Sequence, residues 1–353
     1  MYMALSFALA GLAACASNGS QGGGDGSGSG APPFTNGVST LAGAAEAGYV
    51  DGNRDVARFN NPVGVAFGAD GKVYVSDFDN GKIRVVTSDG TTSTLIAQQG
   101  FARPFGLAFA DANTLYATTD SNHDGTHTQL VTGSIWKIDV HARTATELAD
   151  SIGMPRGIAA LSDGRLALTD YEHHVVELFD PRTRQLTPLC GQRDVAGYAD
   201  GAGAAAKFNM PYGIVQRSDG KLIVADEGNN RLRIVGLDGT VSTMAGTGQA
   251  GFADGTMTGA MFDHPQGLAL DGAGVLYVTD LDNYRVRRLD GSTIDTIAGD
   301  GNPGYVDNDD RLSSELYGLE GVSVKPDGSM VYVADGTRGD DVPYNRVREI
   351  KMQ

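Results

Sequence analysis

The sequence predicts an all-β fold built from six copies of one four-stranded unit. Three observations support this prediction: a repeated Pro-x-Gly before a short apolar run, a second apolar run that ends in Asp, and an Asn-x-Arg step before a third run. The second runs end at Asp77, Asp120, Asp170, Asp226, Asp280 and Asp335. Their spacing gives a period of about 43 to 56 residues, which is typical of propellers and solenoids.

The fourth copy shows how one unit divides into strands. Its apolar runs cover roughly residues 213–216, 221–225, 231–235 and 240–245. Apolar and polar residues alternate within these runs, which is the pattern of a half-buried strand. Asp-Gly pairs stand between the runs and favour tight hairpin turns. Four strands in each repeat are typical of a propeller blade.

The two ends of the repeat array predict how the ring closes. The fourth strand of copy four reads VSTMAG at 241–246, and a near copy, VSTLAG, stands at 38–43 before the first repeat. The last repeat stops after its third strand, at 346–351. We therefore expect the N-terminal strand to complete the last blade of a six-bladed β-propeller, because pairing the two ends removes open sheet edges.

The repeated pattern is specific enough to suggest a family. P-x-G-(V/I/L)-A, D-G-x-(V/L)-Y-V-x-D and N-x-(K/R)-(I/V/L)-R together resemble NHL repeats over roughly residues 37–353, most closely in copies one, four and five. The resemblance implies a six-bladed propeller. It implies no single activity, because relatives include RNA-binding, protein-binding, lyase and sensor propellers.

The segment before the repeats is interpreted as a targeting region. Residues 1–14 are uncharged and mostly apolar and end in Leu-Ala-Ala before Cys15, which is typical of a lipoprotein signal peptide, although no positive residue precedes the apolar run. Residues 15–37 are rich in Gly and Ser and predict a flexible tether, followed by the propeller at 38–353. We expect an exported bacterial lipoprotein, lipidated at Cys15 and held at the outer membrane through that anchor only.

Charge and cysteine content limit the partners. The formal net charge of −16 and the pI near 4.6 argue against nucleic acid, since binding a phosphate backbone needs a basic face. Besides Cys15 the chain has one cysteine, Cys190, which stands where other copies have Ala and is expected to be buried. We expect a monomer with a protein, peptide or glycan as ligand.

The candidate ligand site lies at the mouth of the predicted central channel. The residue between Pro and Gly varies from copy to copy, as Val63, Phe105, Arg156, Tyr212 and Gln266, and Glu320 stands at this position in the degenerate sixth copy. Such a mixed ring is the default ligand site, and Asn61, Arg103 and His264 stand next to it. The alternative is a plugged channel in which Arg156 and Glu320 are paired or solvated. The loops before copies two and three are short, which predicts a lower rim on that side.

A second candidate site follows copy two. Asp120, Asn122 and Asp124 belong to a D-x-N-x-D-G pattern, the first half of a calcium loop, in which alternate oxygen ligands surround one cation. The acidic ligand expected at the twelfth position is missing, since Val131 stands there. Calcium is therefore the possible cofactor, with an Asx-rich turn as the alternative.

Several repeated features are interpreted as structural. Four loops share Gly-aromatic-x-Asp, at 48–51, 197–200, 251–254 and 304–307, and the aromatic ring is expected to pack. The Lys or Arg after the strand-two Asp is expected to pair with that Asp or with turn carbonyls, at Lys82, Arg231, Arg285 and Arg346. The adjacent His173 and His174 in copy three are expected to be exposed.

Two classes of function remain open. The first is a binding platform on the loop face. The second is a metal-dependent hydrolase or lyase, resembling gluconolactonase-like or amidating-lyase propellers, which hold a metal at the channel mouth. A metal hydrolase needs several converging ligands, whereas the variable ring offers one carboxylate, and His precedes Pro only at His264. The sequence therefore favours binding over catalysis.

Overall fold

The computed structural model describes residues 36–122, 124–128, 130–340 and 342–352. Within these residues, 26 β-strands form six antiparallel sheets, arranged as the six blades of a β-propeller, and helix is limited to three short 3-10 turns. The predicted fold class is confirmed. The predicted signal peptide, Cys15 and nearly all of the tether lie outside the described residues.

The elements follow one another in chain order. Strand β1 (Gly37–Ala44) precedes blade one, which contains β2 (Pro62–Phe67), β3 (Val73–Asp77), β4 (Lys82–Val86) and β5 (Thr92–Ile96). Blade two contains β6 (Pro104–Phe109), β7 (Thr114–Thr119), β8 (Ser134–Asp139) and β9 (Thr144–Ala149). Blade three contains β10 (Pro155–Ala160), β11 (Leu166–Asp170), β12 (Val175–Asp180) and β13 (Gln185–Cys190).

The second half of the ring repeats this order with short additions. Blade four contains β14 (Gly201–Ala202), β15 (Pro211–Gln216), β16 (Leu222–Asp226), β17 (Arg231–Val235) and β18 (Thr240–Ala245). Blade five contains β19 (Gly255–Thr256), β20 (Pro265–Leu270), β21 (Leu276–Asp280), β22 (Arg285–Asp290) and β23 (Thr293–Ala298). Blade six contains β24 (Gly318–Val324), β25 (Met330–Gly336) and β26 (Asn345–Lys351). The 3-10 turns are Gly203–Ala205, Glu227–Asn229 and Arg311–Ser313.

The two ends of the array share the sixth sheet. Its strand order is β1-β26-β25-β24, and β1 runs antiparallel to β26 from the pair Gly37 and Lys351 to the pair Ala44 and Asn345. The N-terminal strand is thus the outer strand of blade six, as the sequence predicts.

The hydrophobic core lies between neighbouring blades. Between blades four and five, for example, Ile223 and Ala225 of β16 belong to one buried cluster with Leu276 and Val278 of β21. Cys190 lies in the corresponding layer between blades three and four and is 2% exposed. The predicted burial of Cys190 is therefore confirmed. Burial also raises the pKa of its thiol to about 12.

The Gly of each Pro-x-Gly allows neighbouring inner strands to approach closely. A Cβ atom on Gly213 would lie 2.2 Å from the carbonyl oxygen of Gln266 in the next blade, and one on Gly64 would lie 2.2 Å from that of Phe105. No side chain fits in that space. This contact brings the inner strands together around the channel and directs the preceding residue towards its mouth.

Four blades contain a fully buried arginine that the sequence analysis did not identify. These residues are Arg84, Arg233, Arg287 and Arg348. In blade four, Nη1 of Arg233 lies 2.5 Å from the carboxylate of Asp226, and Nη2 lies 2.7 Å from that of Asp200 in the Gly-aromatic-x-Asp loop. The guanidinium group thereby joins the end of the second strand to the loop before the blade.

Of the two partners predicted for the cation that follows the strand-two Asp, the backbone carbonyls are observed and the Asp is not. Arg231 donates to the carbonyl oxygens of Asn229 and Thr247, and its guanidinium group lies 4.0 Å from the half-exposed ring of Tyr198. Residues two apart on a strand share one face, and Arg231 lies at the open end. Arg233 lies two residues further along the strand, and from there its guanidinium group contacts both Asp200 and Asp226.

Blades two and three depart from this arrangement. Pro104 is paired with Thr119 just as Pro62 is paired with Asp77, so the prediction that Asp120 closes strand two is wrong by one residue. Trp136 and Glu177 occupy the positions of the buried arginines. The expected exposure of His173 is also wrong: it is 7% exposed, and its Nδ1 lies 2.6 Å from Asp170.

Replacing Arg287 by Met should strongly destabilise the fold. Asp280 is fully buried, and burial already raises its pKa to about 6. Loss of its cation leaves an uncompensated buried carboxyl group, which costs about 3–5 kcal/mol. The adjacent Arg288→Met is the matched control, because its ion pair with Asp295 is partly exposed and is worth at most ~1 kcal/mol. Equal changes in the denaturation midpoint would contradict a structural role for the buried pair.

Candidate functional site

A cavity of about 350 Å³ opens at the channel mouth, and we call it the mouth cavity. Two positions of the repeat provide most of its wall, the first in all six blades and the second in four of them. The first is the variable residue of Pro-x-Gly, represented by Val63, Phe105, Arg156, Tyr212, Gln266 and Glu320. The second is the residue after the last position of strand two, represented by Phe78, Tyr171, Glu227 and Leu281. Its volume is that of a small-ligand pocket.

Six of the seven predicted ligand-binding residues line the mouth cavity. They are Asn61, Arg103, Arg156, Tyr212, Gln266 and Glu320. His264 is not among the lining residues. Its Nδ1 lies 2.9 Å from carboxylate oxygens of both Asp263 and Asp282, and these contacts raise the pKa of His264 to about 9, mainly through the hydrogen bond with Asp282.

The second ring of wall residues was missed by the sequence analysis, although a signal for it was present. Like the Pro-x-Gly position, the residue after strand two varies in chemical type from copy to copy, including Phe78, Tyr171 and Glu227. When the residue type at one position varies within an otherwise repeated motif, the side chain at that position is not constrained by packing. Arg338 also lines the cavity, but it lies in the loop between β25 and β26, outside the repeated motif, so no variable position indicated it.

Arg156 and Glu320 do not pair with each other. Nη1 of Arg156 lies 2.5 Å from Oδ1 of Asp120, and its guanidinium carbon lies 4.0 Å from the ring centre of Phe105. Glu320 instead accepts a 2.8 Å hydrogen bond from the Tyr212 hydroxyl group. The alternative of a plugged channel therefore holds only for part of the ring, because Arg156 is paired while open volume remains at the mouth.

One side of the mouth cavity is aromatic. Phe78, Phe105, Tyr212 and Tyr171 contact one another edge to face, with ring centres 5.6 to 5.9 Å apart. Together with Val63 they form one apolar cluster. This wall provides apolar surface and ring faces to any bound group.

The opposite side carries buried acceptor atoms without partners. Gln266 donates from Nε2 to Oε1 of Glu227 at 3.3 Å, which leaves Oε2 of Glu227 and Oε1 of Gln266 without a hydrogen-bond donor. Both residues are more than nine-tenths buried. Burial raises the pKa of Glu227 to about 7, and the charge of Glu320 contributes to this rise. Unpartnered buried acceptors are costly in the free protein and indicate a place for a ligand donor.

The predicted calcium loop does not fit a cation. Asp120 directs its carboxylate towards the guanidinium groups of Arg156 and Arg103, the latter at 3.6 Å. Asn122 and Asp124 each accept the backbone N–H of Thr126 through Oδ1. These hydrogen bonds are those of an Asx-rich turn, which was the alternative interpretation. His123, which stands between Asn122 and Asp124, lies outside the described residues.

Two further cavities adjoin the mouth cavity. One, of about 410 Å³, shares Phe78 and Arg103 with it and extends along the short loop before blade two. The other, also about 410 Å³, shares Gly339 with it and extends between blades six and one. The short loop before blade two thus borders a second cavity next to the mouth cavity.

The repeat units and the closed ring define the chain as a six-bladed β-propeller of NHL-repeat type. Residues 59–86 match the family model described as NHL repeat. Over 285 residues the chain is 27% identical to Protein SUPPRESSOR OF QUENCHING 1, chloroplastic, of Arabidopsis thaliana, and over 300 residues it is 26% identical to NHL repeat-containing protein 2 of Gallus gallus. The chain therefore contains NHL-type repeats and is similar to NHL-repeat proteins.

The matched region is only part of these relatives. It covers 71% and 70% of this chain, but 27% of the Arabidopsis protein and 41% of the chicken protein. Among solved structures, an auxiliary nutrient binding protein from Bacteroides thetaiotaomicron superposes with a TM-score of 0.69 at 17% identity, covering 89% of this chain and 75% of that chain. A streptogramin B lyase superposes with a TM-score of 0.55 at 14% identity, covering 92% and 100%. These likenesses show the fold.

Replacing Glu227 by Gln should stabilise the protein at high pH and not at low pH. Because the folded pKa of about 7 exceeds the ordinary value of 4.5, the wild-type folded state retains a proton that the unfolded state has lost. Its stability therefore falls as pH rises from about 4.5 to 7. Gln does not ionise and avoids this loss, which is on the order of 3 kcal/mol.

Thermal unfolding of both proteins at pH 4 and pH 8 measures the difference. Glu46→Gln is the matched control, since the Glu46 side chain is 81% exposed, and it should leave the difference between the two pH values unchanged. A Glu227→Gln effect that is the same at both pH values would contradict the raised pKa.

Proposed function

We propose that this propeller is a tethered, non-catalytic binding platform that holds a protein, peptide or glycan ligand at the channel mouth. The observation that supports this most directly is the pair of unpartnered acceptors, Glu227 Oε2 and Gln266 Oε1, in the wall of an open cavity. Structural polar groups in a protein interior are normally satisfied. Here the two residues that carry these atoms, Glu227 and Gln266, line a cavity that a ligand can occupy.

The shape of the surface favours a chain-like ligand. The mouth cavity has room for one side chain or one small ring, and the cavities on either side of blade one share lining residues with it. We call these two neighbouring cavities grooves. A peptide or glycan with one unit in the mouth cavity can place its neighbouring units in these grooves. The nutrient-binding description of one fold neighbour is consistent with such a role.

The proposal includes a lipid anchor at Cys15 and a flexible tether up to the first strand, in a bacterial outer membrane. It is supported by the apolar run before Cys15 and the Gly- and Ser-rich run after it. In the part of the chain that the structure describes, no helix has the length and apolar character needed to cross a bilayer.

Cys15→Ser should abolish acylation and release the protein from the membrane fraction. Metabolic labelling with a radioactive fatty acid and fractionation in a bacterial host measure both effects. Cys190→Ser is the matched control, because Cys190 is buried, and it should retain the label. Equal labelling of the Cys15→Ser variant would refute lipidation at this residue.

The alternative function is a metal-dependent hydrolase or lyase. One cluster in the described residues, Asp263, His264 and Asp282, has three ligand atoms close enough to hold a metal ion. However, Nδ1 of His264 is shared between the two carboxylates, and Asp282 also accepts a 2.6 Å hydrogen bond from Arg338. The cluster is satisfied as an ion-pair network, so the geometry favours binding.

Gln266→Leu should weaken ligand binding at least tenfold, since it removes a buried polar group at nearly constant volume. Arrays of peptides and glycans probed with the full-length chain identify the ligand, and titration then gives its affinity for the variant. Gln185→Leu is the matched control, because Gln185 is exposed at the start of the outer strand of blade three. A ligand whose affinity is unchanged in Gln266→Leu would place the site elsewhere.

A further inference from the structure

We infer that the mouth cavity recognises a protonated primary amine of a peptide or protein, held between Glu227 and Glu320 against the aromatic wall. This inference rests on the proposed binding function and names the chemical class of the group bound. It depends on three features of the cavity: two carboxylates without cations, two unpartnered acceptors and a set of ring faces.

The first feature is a pair of carboxylates that lack a cation. Among the described ion pairs, none joins Glu227 or Glu320 to a Lys, Arg or His nitrogen within 4.0 Å. The guanidinium groups nearby are already engaged, since Arg156 is paired with Asp120 and Arg338 with Asp282. Carboxylates removed from water are normally paired or bound to a metal, whereas Glu227, which is buried, and Glu320, which is partly buried, form no such ion pair.

The second feature distinguishes this place from an ordinary acidic cluster. Oε2 of Glu227 and Oε1 of Gln266 are buried without a donor, and Glu320 uses one oxygen to accept from Tyr212. An ammonium group has three donors and no acceptor. It can therefore satisfy the free oxygens of Glu227, Gln266 and Glu320 together, and its charge also compensates the two carboxylates.

The third feature is the aromatic wall. Phe78, Phe105, Tyr171 and Tyr212 border the same cavity, and a cation near a ring face gains electrostatic attraction that increases when water is excluded. The apolar stem of an alkylamine also gains from contact with this wall. In Arg156 the chain already shows such a contact, with a guanidinium group stacked on Phe105.

A neutral sugar would complement the carboxylates and acceptors of the mouth cavity less well than an ammonium group. Its hydroxyl groups could donate to Glu227 and Gln266, but they would not compensate the two carboxylates. A divalent cation is also a poorer fit, since Glu227 and Glu320 are not part of any three-ligand cluster in the described residues. The observations therefore favour an ammonium group over both.

Isothermal titration of the full-length chain tests the inference. The probe is Nα-acetyl-lysine methylamide, and its Nε-acetylated form is the matched neutral control. Glycinamide, which has a terminal amine without a side chain, distinguishes an amino terminus from a lysine side chain as the source. All titrations contain a chelator. We expect one or both amines to bind, and the Nε-acetylated probe to bind at least tenfold more weakly.

Two variants locate the site. Glu227→Gln and Glu320→Gln keep the shape of the side chain and should each weaken amine binding by about tenfold or more, because a hydrogen bond to a charged group is lost. Glu46→Gln, a change at an exposed carboxylate, should have no effect. Unfolding temperatures show whether each variant is folded.

The outcomes separate the inference from the proposed function. If neither amine binds while a neutral peptide or glycan binds and is lost in Gln266→Leu, the inference is wrong and the binding platform stands. Equal affinity for the two lysine probes, or amine binding that survives both Glu→Gln changes, also overturns the inference. If no ligand depends on Gln266, the proposed site itself is wrong.

Discussion

The close contact between neighbouring inner strands determines what the channel mouth contains. At Gly64 and Gly213 the next blade's carbonyl oxygen lies 2.2 Å from the position that a Cβ atom would take, so only Gly fits there. The residue just before each Gly is then directed to the mouth by a backbone that cannot change. Because the backbone is fixed in this way, the side chains before the glycines can differ between blades without disturbing the ring.

The buried arginines show how architecture and site divide the repeats between them. In blades one, four, five and six the arginine joins the second strand to the preceding loop, as Arg233 does through Asp226 and Asp200. Blades two and three lack it, and the Asp120 carboxylate lies one position further on, paired with Arg156 at the mouth. Asp120 of blade two thus positions Arg156 of blade three, which lines the candidate site.

The sequence was sufficient to predict the ring because the relevant signals are local and repeated. The period, the strand alternation and the VSTLAG copy together determine the blades and the closure. Register is harder to predict, and Asp120 was misplaced by one residue because an Asp-ended run looks the same whether Thr119 or Asp120 closes the strand. The Arg233 pairs and the burial of His173 depend on contacts between strands, which the spacing of residues does not reveal.

The unpaired carboxylates at the mouth differ in kind from the paired ones in the blades. Asp226 is fully buried, but Arg233 and several N–H groups balance its charge, so its burial is part of the fold. Glu227, the next residue, is almost as buried and has only an amide partner. Packing does not require a carboxylate there, since Leu281 occupies the same position in blade five. A buried carboxyl group that the fold does not need, and that forms no ion pair within 4.0 Å in the described residues, is most simply explained by a ligand that provides the opposite charge.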